Sequence, residues 1–214
     1  MSRLVTHPLE SIGPRLNAML TEAGQPPLSS EAAAQCDAYH SVLRRWNAQI
    51  NLTAVRSEEE TLRRHFVESI AVARALPQGI QTLLDFGSGA GFPGLPIAIC
   101  RSEISVVLAE SQMKKAAFLR EAVRSTGIAV EVYGSRAETN VRRFDCVTLR
   151  AVDRMHEAAK AASLLVAPAG WLALMTTHPE SAELVGAVGK AFTWREGIPL
   201  PSAAARILLL GRWG

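Results

Sequence analysis

The chain has 214 residues, of which 48% are hydrophobic and 20% charged, and this composition excludes a disordered or low-complexity protein. Its three cysteines are widely spaced and form no C-x-x-C, so they indicate neither a disulfide framework nor a zinc cluster. The net charge is +3 and the excess lies in residues 76–214, with 15 basic and 12 acidic groups, which is too small to indicate a nucleic-acid partner by itself.

The sequence shows no pattern typical of a membrane span or a secretion signal. Its longest apolar runs fall far short of the ~20 residues that a spanning helix needs. Residues 1–10 are mixed in character, without a basic start that leads into an apolar core. We therefore expect a cytoplasmic protein with no membrane partner, and the pattern leaves the oligomeric state open.

The pattern of residues 1–76 predicts an N-terminal helical extension. Ser29, or the serine after it, can cap a helix whose apolar positions recur every three or four residues up to Ile50. A second helix opens at Ser57, where Glu60 completes a capping box. A polar connection separates the two helices.

From residue 81 the pattern changes to short strands that alternate with helices. This alternation is typical of βαβ units and predicts an α/β domain over residues 77–214, built on a mostly parallel, doubly wound sheet. The last two apolar runs, 193–200 and 205–213, have no helix between them, so we expect an antiparallel C-terminal edge. The other expected strands are 82–86, 104–110, 128–133, 144–149 and 171–176, and the expected helices are 92–100, 112–126, 153–166 and 179–192.

The strongest functional signal is a glycine-rich motif, Asp85-Phe-Gly-Ser-Gly-Ala-Gly-Phe-Pro-Gly94. It follows a buried strand and precedes a helix, and ligands of open α/β sheets bind at this edge. Gly87, Gly89 and Gly91 permit positive φ and allow a ligand to lie against bare backbone. We therefore predict that Asp85 and these three glycines bind a cofactor.

The motif admits two kinds of cofactor. The dinucleotide fingerprint G-x-G-x-x-G is satisfied from Gly89 to Gly94, and Glu110 follows at the distance expected for an acid that binds the ribose hydroxyls. However, Asp85 adds a carboxylate that is unsuited to a pyrophosphate, and Pro93 removes an N–H donor from the helix start that would face it. These features, followed by Glu110 as an acid at the end of the second strand, favour S-adenosylmethionine, whose ribose hydroxyls Glu110 would bind. An NAD-dependent oxidoreductase is the alternative.

Together with other segments, this motif closely resembles the RsmG (GidB) family of 16S ribosomal RNA methyltransferases. The resemblance is dense over residues 40–155 and weak beyond residue 160. The other segments that carry it are Asn51-Leu-Thr-Ala-Val55, His65-Phe-Val-Glu-Ser69, Glu110-Ser-Gln-Met-Lys-Lys-Ala-Ala-Phe-Leu119, Arg136-Ala-Glu138 and Arg150-Ala151.

The resemblance implies a Rossmann-like fold that binds S-adenosylmethionine and methylates N7 of one guanosine in 16S ribosomal RNA. It implies cofactor contacts at Gly87, Phe92, the Ala137-Glu138 pair and Arg150. Guanine N7 has an accessible lone pair, so we expect catalysis to come from alignment and desolvation, without a metal. Arg150 is the one residue that we expect to assist the reacting base.

The partner implied by the resemblance is 16S ribosomal RNA. Because a chain of such small net charge can make only a few phosphate contacts, we expect the RNA to be presented within a small ribosomal subunit or its precursor. A third alternative, besides the methyltransferase and the oxidoreductase, is a non-catalytic module that binds RNA or a nucleotide. The positive residues that we expect near the cleft are Lys114, Lys115, Arg142, Arg143, Arg150 and Arg154.

Overall fold

The structure is a computed structural model that describes residues 11–55, 57–201 and 205–214. Its amino-terminal part is helical, as the sequence predicts, although residues 1–10 of the predicted extension lie outside the described residues. Within the described ranges, no helix is both long enough and apolar enough to cross a bilayer. The first helices are α1 (Gly13–Glu22), α2 (Ser30–Ile50), α3 (Glu58–Thr61), a π-helical segment (Leu62–Val67) and α4 (Glu68–Ala75).

Both predicted helix starts are confirmed by their capping hydrogen bonds. Ser29 Oγ accepts from the backbone N–H of Ala32 at 3.2 Å. Ser57 Oγ accepts from the backbone N–H of Glu60 at 3.1 Å. Each bond satisfies a donor that the first turn of a helix leaves without a partner.

The third helical run differs from the single α-helix that the sequence predicts. Its middle turn, Leu62–Val67, is π-helical and continues without a break from α3 into α4. A π-turn accommodates an extra residue, and such turns occur frequently at functional sites. Here the turn buries Leu62, Phe66 and Val67 against the core.

One sheet contains all eight strands of the described residues, in the order β3-β2-β1-β4-β5-β8-β6, with β7 paired to β8. The pairings among the first five strands are parallel, which confirms the predicted fold class. The strands are β1 (Thr82–Phe86), β2 (Ser105–Ala109), β3 (Val130–Tyr133), β4 (Phe144–Arg150), β5 (Val166–Thr177), β6 (Phe192–Trp194), β7 (Ile198–Pro199) and β8 (Arg206–Trp213).

The carboxyl-terminal strands are antiparallel, but they form more pairings than a single hairpin would. β8 lies between β5 and β6 and pairs antiparallel with both. β5 begins earlier than predicted because Val166 pairs with Phe144 on β4. The preceding helix consequently ends before residue 166. The later helices are α5 (Gly94–Cys100), α6 (Met113–Thr126), a 3-10 turn (Ala137–Thr139), α7 (Met155–Ser163) and α8 (His178–Val188).

Each face of the sheet carries its own hydrophobic core. On one face the amino-terminal helices pack together with α5 and α6, through residues such as Tyr39, Phe66 and Phe118. On the other face α7 and α8 pack through residues such as Ala159 and Leu184. The helical extension therefore shares a core with the sheet, and the division of the chain into two domains at residue 76 stays a prediction.

Candidate cofactor-binding and active site

The glycine-rich turn leaves β1 at the carboxyl edge of the sheet. Gly87 and Gly89 have φ angles of +71° and +54°, in the left-handed region that disfavours side chains. A Cβ on Gly87 would lie 3.2 Å from Val152 Cγ2. A Cβ on Gly89 would meet mostly open space, so a side chain there would occupy the room above the turn. The turn therefore offers bare backbone to that space.

Asp85 and Gly91 support this turn from beneath. Asp85 is buried, and its carboxylate accepts from the backbone N–H of Gly94 at 3.3 Å and from Thr148 Oγ1 at 2.9 Å. Burial raises the pKa of Asp85 to about 6. A Cβ on Gly91 would lie 2.9 Å from Tyr39 Oη. These positions give Asp85 and Gly91 a structural place under the turn, away from the cleft wall where the sequence led us to expect them.

Glu110 connects the turn to the end of the second strand. Its Oε2 accepts from the backbone N–H of Gly89 at 2.9 Å, and its Oε1 accepts from the backbone N–H of Gln112 at 2.7 Å. The side chain is 6% exposed. One carboxylate thus holds the glycine-rich turn and the start of α6 in a fixed relation.

Two cavities meet at Glu110. The larger has a volume of about 580 Å³ and lies between the glycine-rich turn and residues 52–55 of the helical extension. The smaller, of about 480 Å³, lies beside the 3-10 turn, where Ala137 and Glu138 line it. We call the two together the cleft. The residues that line both cavities are Gly87, Glu110, Ser111, Val152 and Asp153.

A buried ion-pair network forms one wall of the larger cavity. Glu68 is fully buried, and its carboxylate lies 3.0 Å from Arg150 Nη2 and 2.9 Å from Arg206 Nε. Arg150 ends β4, and its guanidinium also donates to the backbone oxygen of Arg64. Its side chain is 6% exposed. The guanidinium that we expected to face a substrate is therefore held mainly by the protein.

An aromatic pair adjoins this network. His65 Nδ1 lies 3.0 Å from Arg150 Nη2, which can only donate, so the imidazole accepts at Nδ1. Burial, followed by the charge of Arg150, lowers the pKa of His65 to about 3, so the ring is neutral at physiological pH. The ring stacks on Phe92 with centroids 4.9 Å apart. Phe92 packs in turn on Tyr39 and Phe66 of the core.

The cleft brings together most of the residues that the sequence singled out. Gly87, Gly89, Phe92, Glu110 and Arg150 line the larger cavity, and Ala137 and Glu138 line the smaller one. Sequence reasoning missed three contributors to the larger cavity or its wall, namely His65, Glu68 and Arg206. His65 and Glu68 belong to a segment quoted for the family resemblance, whereas no local signal marks Arg206.

The positive residues expected near the cleft are only partly there. Lys115 lines the larger cavity, and Arg154 lines the smaller one while it pairs with Glu157 at 3.0 Å. The expectation for Arg142 and Arg143 is wrong. They precede β4, whose other end lies at the cleft, so they belong to the opposite edge of the sheet.

Comparisons with known proteins match most of the chain to one family. Residues 32–195 match the GidB family, described as rRNA small subunit methyltransferase G. The chain is 38% identical to the ribosomal RNA small subunit methyltransferase G of Stenotrophomonas maltophilia (strain K279a), over 83% of this chain and 85% of that protein. It is 36% identical to the protein of the same name from Neisseria gonorrhoeae (strain NCCP11945), over 78% of this chain and 81% of that protein.

Solved structures share the fold at low sequence identity. The O-methyltransferase from Bacillus cereus, in complex with SAH, superposes with a TM-score of 0.61 at 16% identity, covering 92% of this chain and 97% of that one. A predicted O-methyltransferase from Agrobacterium tumefaciens gives a TM-score of 0.56 at 22% identity, covering 69% and 81%. At these identities the likeness concerns the fold alone.

Proposed function

Because the chain belongs to the rRNA small subunit methyltransferase G family, we propose that it methylates N7 of one guanosine in 16S ribosomal RNA. Family membership makes it an S-adenosylmethionine-dependent ribosomal RNA methyltransferase, and the NAD-dependent oxidoreductase considered from the glycine motif is set aside. The site residues, the atom methylated and the form of the substrate are our proposals.

The observation that carries the site assignment is the position of Glu110 where the two cavities meet. The cofactor has an amino-acid part and an adenine that are joined through a ribose. The ribose is the part whose hydroxyl groups a carboxylate would accept hydrogen bonds from. We assign the amino-acid part to the larger cavity beside Gly87 and Gly89. We assign the adenine to the smaller cavity beside Ala137 and Glu138.

The residues present fit this cofactor. The turn offers a cradle that a Cβ on Gly87 or Gly89 would fill, and one buried carboxylate faces both cavities. When bound there, the cofactor supplies a sulfonium that donates a methyl group without any proton transfer. Asp85 and Gly91 support the site indirectly, because they hold the shape of the turn from beneath.

Catalysis of this methyl transfer depends on alignment of the reactants and on exclusion of water more than on an acid or a base. Guanine N7 already carries a lone pair, and alignment can supply on the order of 7–11 kcal/mol of the barrier at best. Phe92 and the neutral ring of His65 form a stacked, uncharged wall beside the cofactor cavity. Arg150 is the residue that the sequence predicts as catalytic, and we propose that it acts as a positioning residue. Its bonds to His65 and Glu68 hold that wall in place.

The charge of the cleft bears on the form of the substrate. Arg64 pairs with Glu60, and Glu68 neutralises part of the charge of Arg150 and Arg206. Few positive groups at the cleft are thus available to RNA phosphates, so the guanosine must be presented by a structured context. We propose a small ribosomal subunit or its precursor as the substrate, and the cytoplasm, where such particles assemble, as the location.

The test is methyl transfer from radiolabelled S-adenosylmethionine to naked 16S RNA and to partly assembled small subunits, with the product mapped for N7-methylguanosine. We expect one modified guanosine and much faster transfer to the subunit. Equal rates on both substrates would contradict the proposed form of the substrate. A methyl group found at another atom would contradict the proposed chemistry. Cofactor binding without transfer to either RNA would support a non-catalytic binding module.

A further inference from the structure

A second set of positive groups lies at the sheet edge opposite the cleft. Arg143 directly precedes β4, and Trp171 lies early in the parallel part of β5. Arg212 pairs with Trp171 across the β5–β8 ladder, and Trp213 follows it on β8. Since β4 runs from Phe144 to the cleft at Arg150, the separation is about 20 Å at ~3.3 Å per residue.

In this set the arginines stack on tryptophans. The guanidinium carbon of Arg195 lies 4.4 Å from the ring centroid of Trp171, and that of Arg212 lies 5.7 Å from the same ring. The guanidinium carbon of Arg143 lies 5.1 Å from the ring centroid of Trp213. Trp171 packs against the core on one face of the sheet and Trp213 against the core on the other face, so the two stacks are separate. We call Trp171, Arg195 and Arg212 the arginine–tryptophan surface.

The arginines of this surface have no acidic partners within the described parts of the chain. No salt bridge of the described residues involves Arg195 or Arg212, and both are exposed. By contrast, the exposed Arg45 pairs with Glu121 at 2.7 Å. The two guanidinium groups on Trp171 are therefore available to a ligand.

We infer that the arginine–tryptophan surface binds the phosphate backbone of a second segment of the RNA substrate, about 20 Å from the methylated base. A guanidinium stacked on an aromatic ring keeps its N–H edge outward, in a geometry that matches a phosphate bidentately. Arg195 and Arg212, stacked on the one ring of Trp171, provide a preformed pair of donors. The inference rests on the proposed function, because it takes the partner to be the RNA that the cleft methylates.

The arginine–tryptophan surface would supply phosphate contacts that the cleft provides only in small number. Phosphate contacts supply most of the affinity of a protein for nucleic acid, yet ion pairs within the protein occupy much of the positive charge at the cleft. A chain with a net charge of only +3 must concentrate its unpaired cations to attract a polyanion. A contact at the far edge would also orient the enzyme on a structured RNA, which the cleft alone cannot do.

The test variant is Arg195→Gln with Arg212→Gln, compared with the control Arg45→Gln with Arg124→Gln. The control removes the same charge from exposed positions on α2 and α6. Thermal unfolding followed by circular dichroism checks that both variants fold. Affinity for 16S RNA is measured by filter binding across a salt series, and methyl transfer is measured with small subunits as substrate.

For the test variant we expect roughly tenfold weaker RNA binding near physiological salt, and a salt slope lower by about 0.7–0.9 per lost contact. KM for the subunit should rise, while kcat and the affinity for S-adenosylmethionine stay unchanged. The control should match the unmodified protein. If the test variant matches the control in RNA affinity and salt slope, the inference is wrong.

Two further outcomes separate this inference from the proposed function. If the unmodified protein methylates ribosomal RNA but both variants behave alike, the proposed function stands and the surface has no part in RNA binding. If no methyl transfer to ribosomal RNA occurs while the test variant loses RNA affinity, the surface binds RNA and the proposed function fails. Polyglutamate and a short duplex RNA are also compared as competitors of 16S RNA binding. If polyglutamate competes as strongly as the duplex, the surface binds an acidic protein and the inference is overturned.

Discussion

Asp85 provides a direct test of how the glycine-rich turn is supported. Its buried carboxylate accepts from Gly94 N and Thr148 Oγ1, and it lines neither cavity. Asp85→Asn keeps the shape of the side chain and removes the charge. The Thr148 hydroxyl can accept from the new amide N–H, because a hydroxyl both donates and accepts. The variant therefore isolates the contribution of the charge.

The magnitude follows from the pKa of this carboxyl. Burial raises the pKa of Asp85 from 3.8 to about 6, and one pKa unit corresponds to about 1.36 kcal/mol. Ionisation of Asp85 thus costs the folded state about 3 kcal/mol at neutral pH. Because the folded state holds the proton more tightly, the free energy of unfolding falls as the pH rises from 3.8 to about 6 and then levels off. Asparagine does not ionise, so the variant lacks this decline.

The assay is urea unfolding of both proteins at about pH 4 and about pH 7.5. Between these conditions, the difference in unfolding free energy should change by about 2.4 kcal/mol in favour of the asparagine variant, since pH 4 already lies just above the lower pKa. Parallel pH dependences for the two proteins would refute the reasoning. Calorimetry with S-adenosylmethionine gives a second readout, in which the affinity should change by less than about threefold. A loss of more than about tenfold would show that Asp85 contacts the cofactor directly.

The remaining predictions concern the turn, the ribose contact and the buried network. Gly87→Val places a side chain at a φ of +71° and a Cβ 3.2 Å from Val152, so we expect calorimetry to show no cofactor binding. The circular dichroism spectrum should be unchanged, and an unchanged cofactor affinity would contradict the proposed site. Glu110→Ala removes the acceptor of the Gly89 N–H and should weaken cofactor affinity about ten- to a hundredfold. RNA affinity in filter binding should be unchanged, and the reverse pattern would contradict the assignment. Glu68→Ala leaves two guanidinium groups without their shared carboxylate and should lower the free energy of unfolding by about 3–5 kcal/mol. Glu68→Asp keeps the charge and should lose less, so equal losses in urea unfolding would argue against the ion pairs.

The sequence predicts those parts of the fold that depend on local interactions. The starts of the helices at Ser29 and Ser57 were predictable because a capping serine acts on a backbone N–H only three residues away. The parallel strands were predictable because their apolar runs alternate with helices. The π-turn was not, since its extra residue is set by how Phe66 and Val67 pack in the core. The place of β8 inside the sheet also depends on pairing with distant strands.

In the candidate site, too, the sequence predicts the residues that follow from local patterns and misses those that depend on distant contacts. Gly87 and Glu110 lie at the carboxyl ends of adjacent strands, so a motif and a spacing suffice to predict that they lie close together. Arg206 escaped prediction because its partner Glu68 lies far away in the chain and on a helix. Arg142 and Arg143 were misplaced for a related reason. They lie close to Arg150 in the sequence, but the extended strand β4 places its two ends far apart.

The position of β8 between β5 and β6 makes completion of the cleft depend on a strand that lies far along the chain from the glycine-rich motif. β5 is paired with β8 along seven successive positions, and β6 and β7 have β8 as their partner. Arg206, which lines the cleft, is the first residue of β8. A nascent chain that stops short of residue 206 therefore exposes the apolar edge of β5 and lacks part of the Glu68 network. A stop codon or frameshift anywhere upstream of β8 should thus behave as a complete loss of the gene, even though the glycine-rich motif is intact.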